Sequence, residues 1–257
     1  MRHLPCFWAV LALAFMLGAP ASADDFSFST GEPDGLMAAA SRPESRGKIE
    51  IEAADDFILA SPTLLDHATF TGLLFHGGHG EIREVRVEIY RVFPNDSDTA
   101  RTMHVPTRTN SPSDVAFADR STADGNLQFT AAVLNPHFLA ANSVINGIHP
   151  SPDQFTGGEG AVAGQEVRFD VDFDPPFDLP ADHFFFVPQV QLQGQGGNFL
   201  WLSTPRPGPQ FPGDLQMWIR NADLDPDWLR VGGDIVGPTP VSGPRFNGSF
   251  SLSGTTP

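Results

Sequence analysis

The most constraining feature of this sequence is the stretch from Glu166 to Ser203, in which apolar runs follow one another closely. The first run, Glu166–Phe173, alternates strictly between apolar and charged residues. Successive side chains of a β-strand point to opposite faces, so this run predicts a strand with one buried and one solvated face. Two further runs lie at 184–192 and 198–203, and the segment Gly194–Gly197 between them has the composition of a hairpin turn. The stretch predicts an antiparallel meander with one face in a core.

The rest of the chain has the same character. Runs that predict strands lie at 48–59, 68–75, 81–93, 126–134 and 246–252. In the run 81–93, Val85, Val87 and Ile89 share one face, and the other face carries Glu84, Arg86, Glu88 and Tyr90, whose charges predict a solvated outer face. The chain has 25 Gly and 24 Pro, a composition typical of many turns between short strands. There is no alternation of strands with helices, and the one convincing helical signal lies near 214–220. We therefore predict an all-β fold: a two-sheet antiparallel β-sandwich, jelly-roll-like, with one short helix near 214–220.

The N-terminus has the pattern of a signal peptide. Arg2 precedes an apolar run, Phe7–Leu17, that is short for a membrane span, and Ala21-Ser-Ala23 fits a cleavage site. We expect cleavage after Ala23 and secretion to the periplasm or the extracellular space; an uncleaved anchor is the alternative. The expected organisation is a signal peptide at 1–23, an extended N-terminal arm at 24–47 and a single β-sandwich domain at 48–257.

The chain is strongly acidic, with 15 Lys and Arg against 31 Asp and Glu and a net charge of −16. Such a field repels nucleic acid and anionic membrane surfaces, so neither is an expected partner. The one cysteine, Cys6, lies in the predicted signal peptide, so the mature chain is expected to have no disulfide. No later apolar segment approaches membrane-spanning length, so we expect no membrane span in the mature chain.

Six segments of the chain have a familiar pattern: Ala54–Phe57 with Phe70–Gly72, Asp178–Gln189 with Phe199–Ser203, and Asp214–Arg220 with Pro226–Arg230. Together they resemble secreted bacterial proteins that are often found with PEP-CTERM sorting signals. The resemblance covers most of the mature chain and implies a location and a fold, without implying an activity. The sequence ends at Pro257 with no Val-Pro-Glu-Pro motif, apolar helix or basic tail. We therefore expect release rather than sorting to the envelope.

One acidic segment has the spacing of a calcium loop. Asp223, Asp225 and Asp227 stand at alternate positions, and Asp234 falls where a twelfth-position ligand would lie. Trp228 occupies the position at which an EF-hand needs Gly, so an EF-hand is not expected. Two interpretations stay open: a looser structural calcium site, and capped turns in which Asp bonds to the nearby backbone. No other cofactor is predicted.

Three tryptophans, Trp201, Trp218 and Trp228, lie in the C-terminal third. A tryptophan exposed beside polar groups can stack against a sugar ring, so these are the candidate ligand-binding residues. The alternative is that they belong to the core, where large aromatic side chains are mostly found. If the protein has a site, the irregular loops Thr204–Gly213 and Asp223–Asp234 are better candidates than the strands.

Signals of catalysis are weak. The chain has no Gly-x-Ser-x-Gly elbow and no His-Glu-x-x-His motif, and His76 and His79 have no third ligand nearby in the sequence. No catalytic residue is predicted. We expect a secreted, non-catalytic β-sandwich protein with a structural or interaction role outside the cell. The alternatives are a carbohydrate-binding module, with or without structural calcium, and an extracellular hydrolase or lyase acting on polysaccharide. An extracellular glycan or an envelope component is the expected partner.

Overall fold

A computed structural model describes residues 24–45, 47–76, 78, 81–93, 109–148, 155–194, 196–205, 212–237 and 245–257. The predicted signal peptide lies outside these ranges. The described residues form one short π-helix, Val231–Val236, which is far too short to cross a membrane, and no other described helix is long and apolar enough to do so. The strands in chain order are β1 (Asp24–Ser29), β2 (Met37–Ala40), β3 (Ile51–Leu59), β4 (Thr63–Phe75), β5 (Ile82–Phe93), β6 (Ser111–Pro112), β7 (Ala118–Ser121), β8 (Leu127–Ala140), β9 (Asn142–Val144), β10 (Val162–Leu179), β11 (Asp182–Leu192), β12 (Asn198–Thr204), β13 (Trp218–Asn221), β14 (Leu229–Arg230), β15 (Asn247–Gly248) and β16 (Phe250–Thr256).

The strands form two sheets, which we call the large and the small sheet. The large sheet has nine strands in the order β1-β16-β4-β12-β2-β9, with β10 and then β8 extending from β4, and β15 on β12. The small sheet has seven strands in the order β14-β13-β3-β11-β5-β6, with β7 also on β5. Among the described strands, all pairings are antiparallel except that of β2 with β9. The prediction of an all-β, two-sheet antiparallel sandwich is confirmed.

One main hydrophobic core fills the space between the sheets. The Phe70 and Phe169 rings of the large sheet stack with their centroids 4.8 Å apart. Phe186 of the small sheet stacks on Phe250 of the large sheet at 5.0 Å, with Trp201 edge-on to both rings. Aromatic side chains from both layers therefore hold the sheets together.

The stretch from Glu166 to Ser203 forms three strands, as predicted, but not a meander. β10 lies between β4 and β8 in the large sheet, β11 lies between β3 and β5 in the small sheet, and β12 returns to the large sheet. The Gly194–Gly197 segment therefore connects the two sheets and does not close a hairpin. The cause is that β11 has no solvated face: Phe184 faces the main core, while Phe185 and Val187 pack on the other side. A strand that is buried on both faces does not reveal its neighbour through alternation.

The helix predicted near 214–220 is absent. Residues Trp218–Asn221 are strand β13, which pairs with β3 and β14. The one helix among the described residues lies after it, at Val231–Val236. Ile219 enters the main core while Trp218 packs on the opposite side of the sheet. The apolar residues of this segment therefore pack on both sides of the sheet. A strand that is apolar on both faces has an apolar content similar to that of a short buried helix, which explains the wrong prediction.

The N-terminal arm predicted at 24–47 is extended, but it is an integral part of the large sheet. β1 pairs with β16 along its whole length, from Asp24 opposite Thr256 to Ser29 opposite Ser251. β2 is fully buried between β12 and β9. Both ends of the described chain therefore meet in the same sheet.

The two sheets differ in what covers their outer faces. The outer face of the large sheet carries rows of short polar side chains, and one row runs through Ser29, Ser251, Thr69, Asp170 and Thr130. The outer face of the small sheet instead carries a second apolar cluster, made of Ala54, Tyr90, Phe185, Val187, Trp218 and Trp228, against which Val92, Ala116 and Leu215 pack. Residues between the strands thus cover the small sheet, and the candidate site lies under this cover.

Candidate functional site beside Trp218

All three candidate tryptophans lie in the interior: the exposed fraction is 0% for Trp201, 3% for Trp218 and 1% for Trp228. The Trp201 indole N–H donates a hydrogen bond to the Ser249 carbonyl at 3.0 Å. The Trp228 indole N–H donates to the Ser113 carbonyl at 3.3 Å. None of the three offers the exposed ring face that stacking against a sugar requires. Their burial agrees with the alternative that these tryptophans belong to the core.

Trp218 differs from the other two tryptophans. Its indole nitrogen is buried without a hydrogen-bond partner, and the residue lines a cavity of about 180 Å³. Gln216 lines the same cavity and contributes a second buried atom without a partner, its Oε1. Buried polar groups in proteins are nearly always hydrogen-bonded, so a donor and an acceptor left unsatisfied beside one cavity require an explanation. The residues around the cavity are Thr109, Asp214, Leu215, Gln216, Trp218, Arg230 and Arg245.

The charged groups around this cavity are partly paired. Arg230 binds Asp234 through two hydrogen bonds, Nη2 to Oδ1 at 2.6 Å and Nε to Oδ2 at 3.0 Å. The Arg230 guanidinium lies 5.9 Å from the centroid of the Trp218 ring. Arg245 is exposed, and within the described ranges it forms no ion pair. The cavity thus combines N–H donors with a carboxylate, Asp214, and the Gln216 amide oxygen, a mixture suited to hydroxyl groups.

The four aspartates of the predicted calcium loop do not converge. Asp225 lies 2.8 Å from Arg220 Nη1, and Asp234 binds Arg230, whereas Asp223 is exposed and Asp227 is fully buried. In the part of the chain that the structure describes, no group of three or more His, Cys, Asp and Glu side chains is able to hold a metal ion. The calcium hypothesis gains no support from this geometry. Two of the carboxylates instead neutralise arginines of the covered face.

A buried polar network, missed at the sequence level, lies beside the cavity on the same face. The Arg220 guanidinium binds both carboxylate oxygens of Glu52, and its Nη2 donates to the Tyr90 hydroxyl at 2.9 Å. That hydroxyl lies 2.7 Å from Glu52 Oε1 and 3.3 Å from Glu88 Oε2. The Arg220 guanidinium also lies 4.4 Å from the centroid of the Trp228 ring. This network of hydrogen bonds connects Glu52 of β3, Tyr90 of β5 and Arg220 of β13. It fixes the position of β13 and therefore of Trp218.

Glu88 lies at the rim of this network and differs in protonation from an ordinary glutamate. Burial, together with the nearby charge of Glu52, raises the pKa of Glu88 to about 8. Glu88 therefore retains its proton at neutral pH in the folded protein. Burial also raises the pKa of the Tyr90 hydroxyl and, less strongly, that of Glu50. The charged outer positions of β5 are part of a desolvated network rather than the solvated face that their alternation suggests.

Comparison with known proteins provides no relative. No family model, no curated protein and no solved structure gives a significant match to the chain. The resemblance to secreted proteins associated with PEP-CTERM signals stays a prediction. The site must therefore be interpreted from its own geometry.

Proposed function

We propose that this is a secreted, non-catalytic β-sandwich protein that binds a small polyhydroxylated ligand, such as the terminal sugar of an extracellular glycan, in the cavity beside Trp218. The observation that carries the proposal is the pair of unsatisfied buried atoms, the Trp218 N–H and the Gln216 Oε1, at one cavity. Both atoms are almost fully covered in this structure, so a ligand would reach them once the side chains at the cavity shift. A sugar hydroxyl is both a donor and an acceptor, so hydroxyl groups could then satisfy both atoms. Recognition would then use hydrogen bonds at the edge of the indole instead of stacking on its face.

The size of the cavity favours a single small ring. Its volume of about 180 Å³ is smaller than the roughly 300–1,000 Å³ of pockets that hold drug-sized ligands. Arg245 is exposed at this cavity and offers a further donor, either to the same ligand or to a neighbouring acidic group. We therefore expect the end of a glycan chain to bind, rather than its middle.

One observation favours the alternative of a hydrolase or lyase, namely the Glu52–Glu88 pair. A protonated carboxyl next to a carboxylate is the arrangement that acid–base catalysis uses. In this pair, however, Arg220 binds both oxygens of Glu52, and the Glu88 side chain is only 12% exposed. A carboxylate held by two hydrogen bonds under a cover is better explained as part of the scaffold, so we favour binding over catalysis.

Glycan-array screening followed by titration calorimetry with the best ligand tests the proposal. Trp218→Phe removes the indole N–H but keeps an aromatic ring, and the loss of one hydrogen bond should weaken binding by roughly 2- to 10-fold. Arg168→Gln is the matched control, because Arg168 lines a separate polar cavity on the large sheet. Equal affinities of the wild type and Trp218→Phe for the ligand would show that the ligand does not bind beside Trp218. If no glycan or free sugar binds, the proposed ligand class is wrong.

Secretion is tested separately from binding. The full-length sequence should yield a protein outside the cytoplasm whose first residue, by N-terminal sequencing, is Asp24. A protein that keeps residues 1–23 and remains in the membrane fraction would support the uncleaved anchor instead.

A further inference from the structure

The longest open sheet edge in the described ranges is β8. This strand has 14 residues, Leu127–Ala140, and in the described part of the chain it pairs with β10 alone. The other side of an edge strand presents a row of backbone N–H and C=O groups without partners. Such a row is a template for another strand, and natural proteins usually keep edges short, charged or covered.

The other described edges have this protection. β1 has six residues and begins with Asp24 and Asp25, and β7 has four residues, of which Asp119 and Arg120 are charged. β9 has three residues, and β14 has two and ends in Arg230. By contrast, β8 contains no Asp, Glu, Lys or Arg, although the chain carries a net charge of −16. Pro136 interrupts the second half of this edge, but its first half, Leu127–Val133, has neither a charged residue nor a proline to protect it.

Exposed apolar side chains accompany this edge. Leu134 is 49% exposed and Leu139 is 61% exposed. Leu36, which is 54% exposed, lies next to the end of β8, because its carbonyl accepts the N–H of Asn142. Large exposed apolar residues along an open edge are typical of an interaction surface.

We propose that β8 pairs with β8 of a second copy of this chain, antiparallel about a two-fold axis, so that two large sheets join into one continuous sheet. Two copies that each carry 16 excess negative charges repel, and an uncharged strand is the contact at which this repulsion costs least. A two-fold axis places the same strand of each copy side by side in opposite directions, which is the geometry of an antiparallel pair.

Two features of β8 set the extent of the pairing. Pro136 has no N–H to donate, and the register between β8 and β10 shifts opposite Val133–Asn135. From Leu127 to Val133 the register is regular, with Leu127 opposite Phe173 and Val133 opposite Val167. The backbone pairing is therefore confined to Leu127–Val133, and the middle of this segment is Thr130. Of the exposed apolar residues, Val133 lies within the segment and Leu134 adjoins it, whereas Leu36 and Leu139 lie outside it.

Sedimentation velocity over a range of concentrations tests the dimer. A short strand-to-strand interface should give a dissociation constant on the order of 1–100 μM. Thr130→Lys places two like charges opposite each other at the axis, while within one copy the new lysine lies opposite Asp170, so the monomer should still fold. We expect at least about 10-fold weaker dimerisation for Thr130→Lys, because like charges would then face each other directly. Val115→Lys changes an exposed apolar residue elsewhere and should dimerise like wild type.

Cysteine scanning tests the register independently. In a full-length Cys6→Ala background, a single cysteine is placed in turn at Gln128, Thr130, Ala132 and Leu139, and air-oxidised disulfide dimers are quantified. Antiparallel pairing predicts a maximum at or next to Thr130 and little cross-linking at Leu139. A wild-type protein that stays monomeric up to millimolar concentration, Thr130→Lys dimerising as well as wild type, or equal cross-linking at all four positions would each overturn the proposal.

Discussion

The outer face of the large sheet and the outer face of the small sheet carry the same kinds of charged residue in different surroundings. On the large sheet Arg168 contacts Asp170 at 3.1 Å, with side chains 46% and 35% exposed. On the small sheet Arg220 binds Glu52, and both side chains are only 6% exposed. The first pair remains in water, whereas the second has lost nearly all of its hydration. Ion pairs that look equivalent in the sequence therefore have very different roles in stability.

This difference follows from the cover and not from the strands. Trp228 and Leu215, which lie outside the strands, pack over the small sheet, and no equivalent apolar layer of described residues lies on the rows of the large sheet. Under a cover, each polar group must find a partner in the protein, and Arg220 finds Glu52, Tyr90 and Asp225. Several buried polar atoms find no partner, but the Trp218 N–H and the Gln216 Oε1 are two that belong to side chains at one cavity, which is why we propose the binding site there.

The largest expected effect comes from breaking the buried pair. Arg220→Met leaves the Glu52 carboxylate buried without its cation, which should lower the free energy of unfolding by about 3–5 kcal/mol in urea denaturation. Arg168→Met on the exposed face is the matched control and should cost less than about 1 kcal/mol. Replacing both partners, with Glu52→Leu added to Arg220→Met, should recover part of the loss. Equal effects of the two single substitutions would contradict the difference between the faces.

The pH dependence of stability provides the next largest effect. The pKa of Glu88 is about 8 in the folded protein against an ordinary value of 4.5, so between these values the folded state holds a proton that the unfolded state loses. The stabilising contribution of this protonated carboxyl is complete below about pH 4.5, declines as the pH rises, and is lost above about pH 8.

Glu88→Gln imitates the protonated form and should remove this decline. We expect the variant to exceed wild type by roughly 1–3 kcal/mol at pH 9 and to differ little at pH 4, as measured by urea denaturation across the pH range. Asp170→Asn, on the exposed face of the large sheet, serves as the comparison. Parallel stability curves for wild type and Glu88→Gln would show that Glu88 is hydrated like the carboxylates of the other face.

The smallest expected effect concerns calcium. Because Asp225 and Asp234 are bound by arginines and the four aspartates do not converge, adding Ca²⁺ or a chelator should shift the melting temperature by less than about 1 °C. A clear rise with Ca²⁺ that is lost in Asp223→Asn would restore the calcium hypothesis. It would also mean that the segment 223–234 rearranges when it binds the ion.

Sequence reasoning identified the strands whose one face meets the core and whose other face meets water. β10 shows this best, since Val167, Phe169 and Val171 enter the core as their alternation predicts. The same reasoning located Val85 and Val87 of β5 correctly in the core. It was wrong about the outer positions of β5, which are mostly covered rather than solvated. Alternation shows that a side chain points away from the core, but it does not show whether other residues of the chain cover that side chain.

The other failures have the same physical origin. β11 is buried on both faces, so its apolar run does not show that it lies in the small sheet. Arg220 binds both Glu52 and Tyr90, and it lies more than a hundred residues from either of them in the sequence. No local sequence pattern predicts such a contact. For the tryptophans, the sequence left two alternatives open, exposure at a binding site and burial in the interior, and all three are buried. Two residues that line the cavity relate to the loops that the sequence favoured, since Asp214 directly follows Thr204–Gly213 and Arg230 lies within Asp223–Asp234. The unsatisfied N–H of Trp218, however, appears only in three dimensions.

The most direct test of the binding site observes the indole N–H groups themselves. In a ¹H–¹⁵N NMR spectrum of the mature protein, Trp201, Trp218 and Trp228 each give one indole peak, and Trp218→Phe identifies the peak of Trp218. Since the Trp201 and Trp228 N–H groups already bind carbonyl oxygens, titration with a bound glycan or sugar should move the Trp218 peak and leave the other two in place. Binding that leaves the Trp218 peak unmoved, or that shifts all three peaks equally, would contradict the assignment of the site to this cavity.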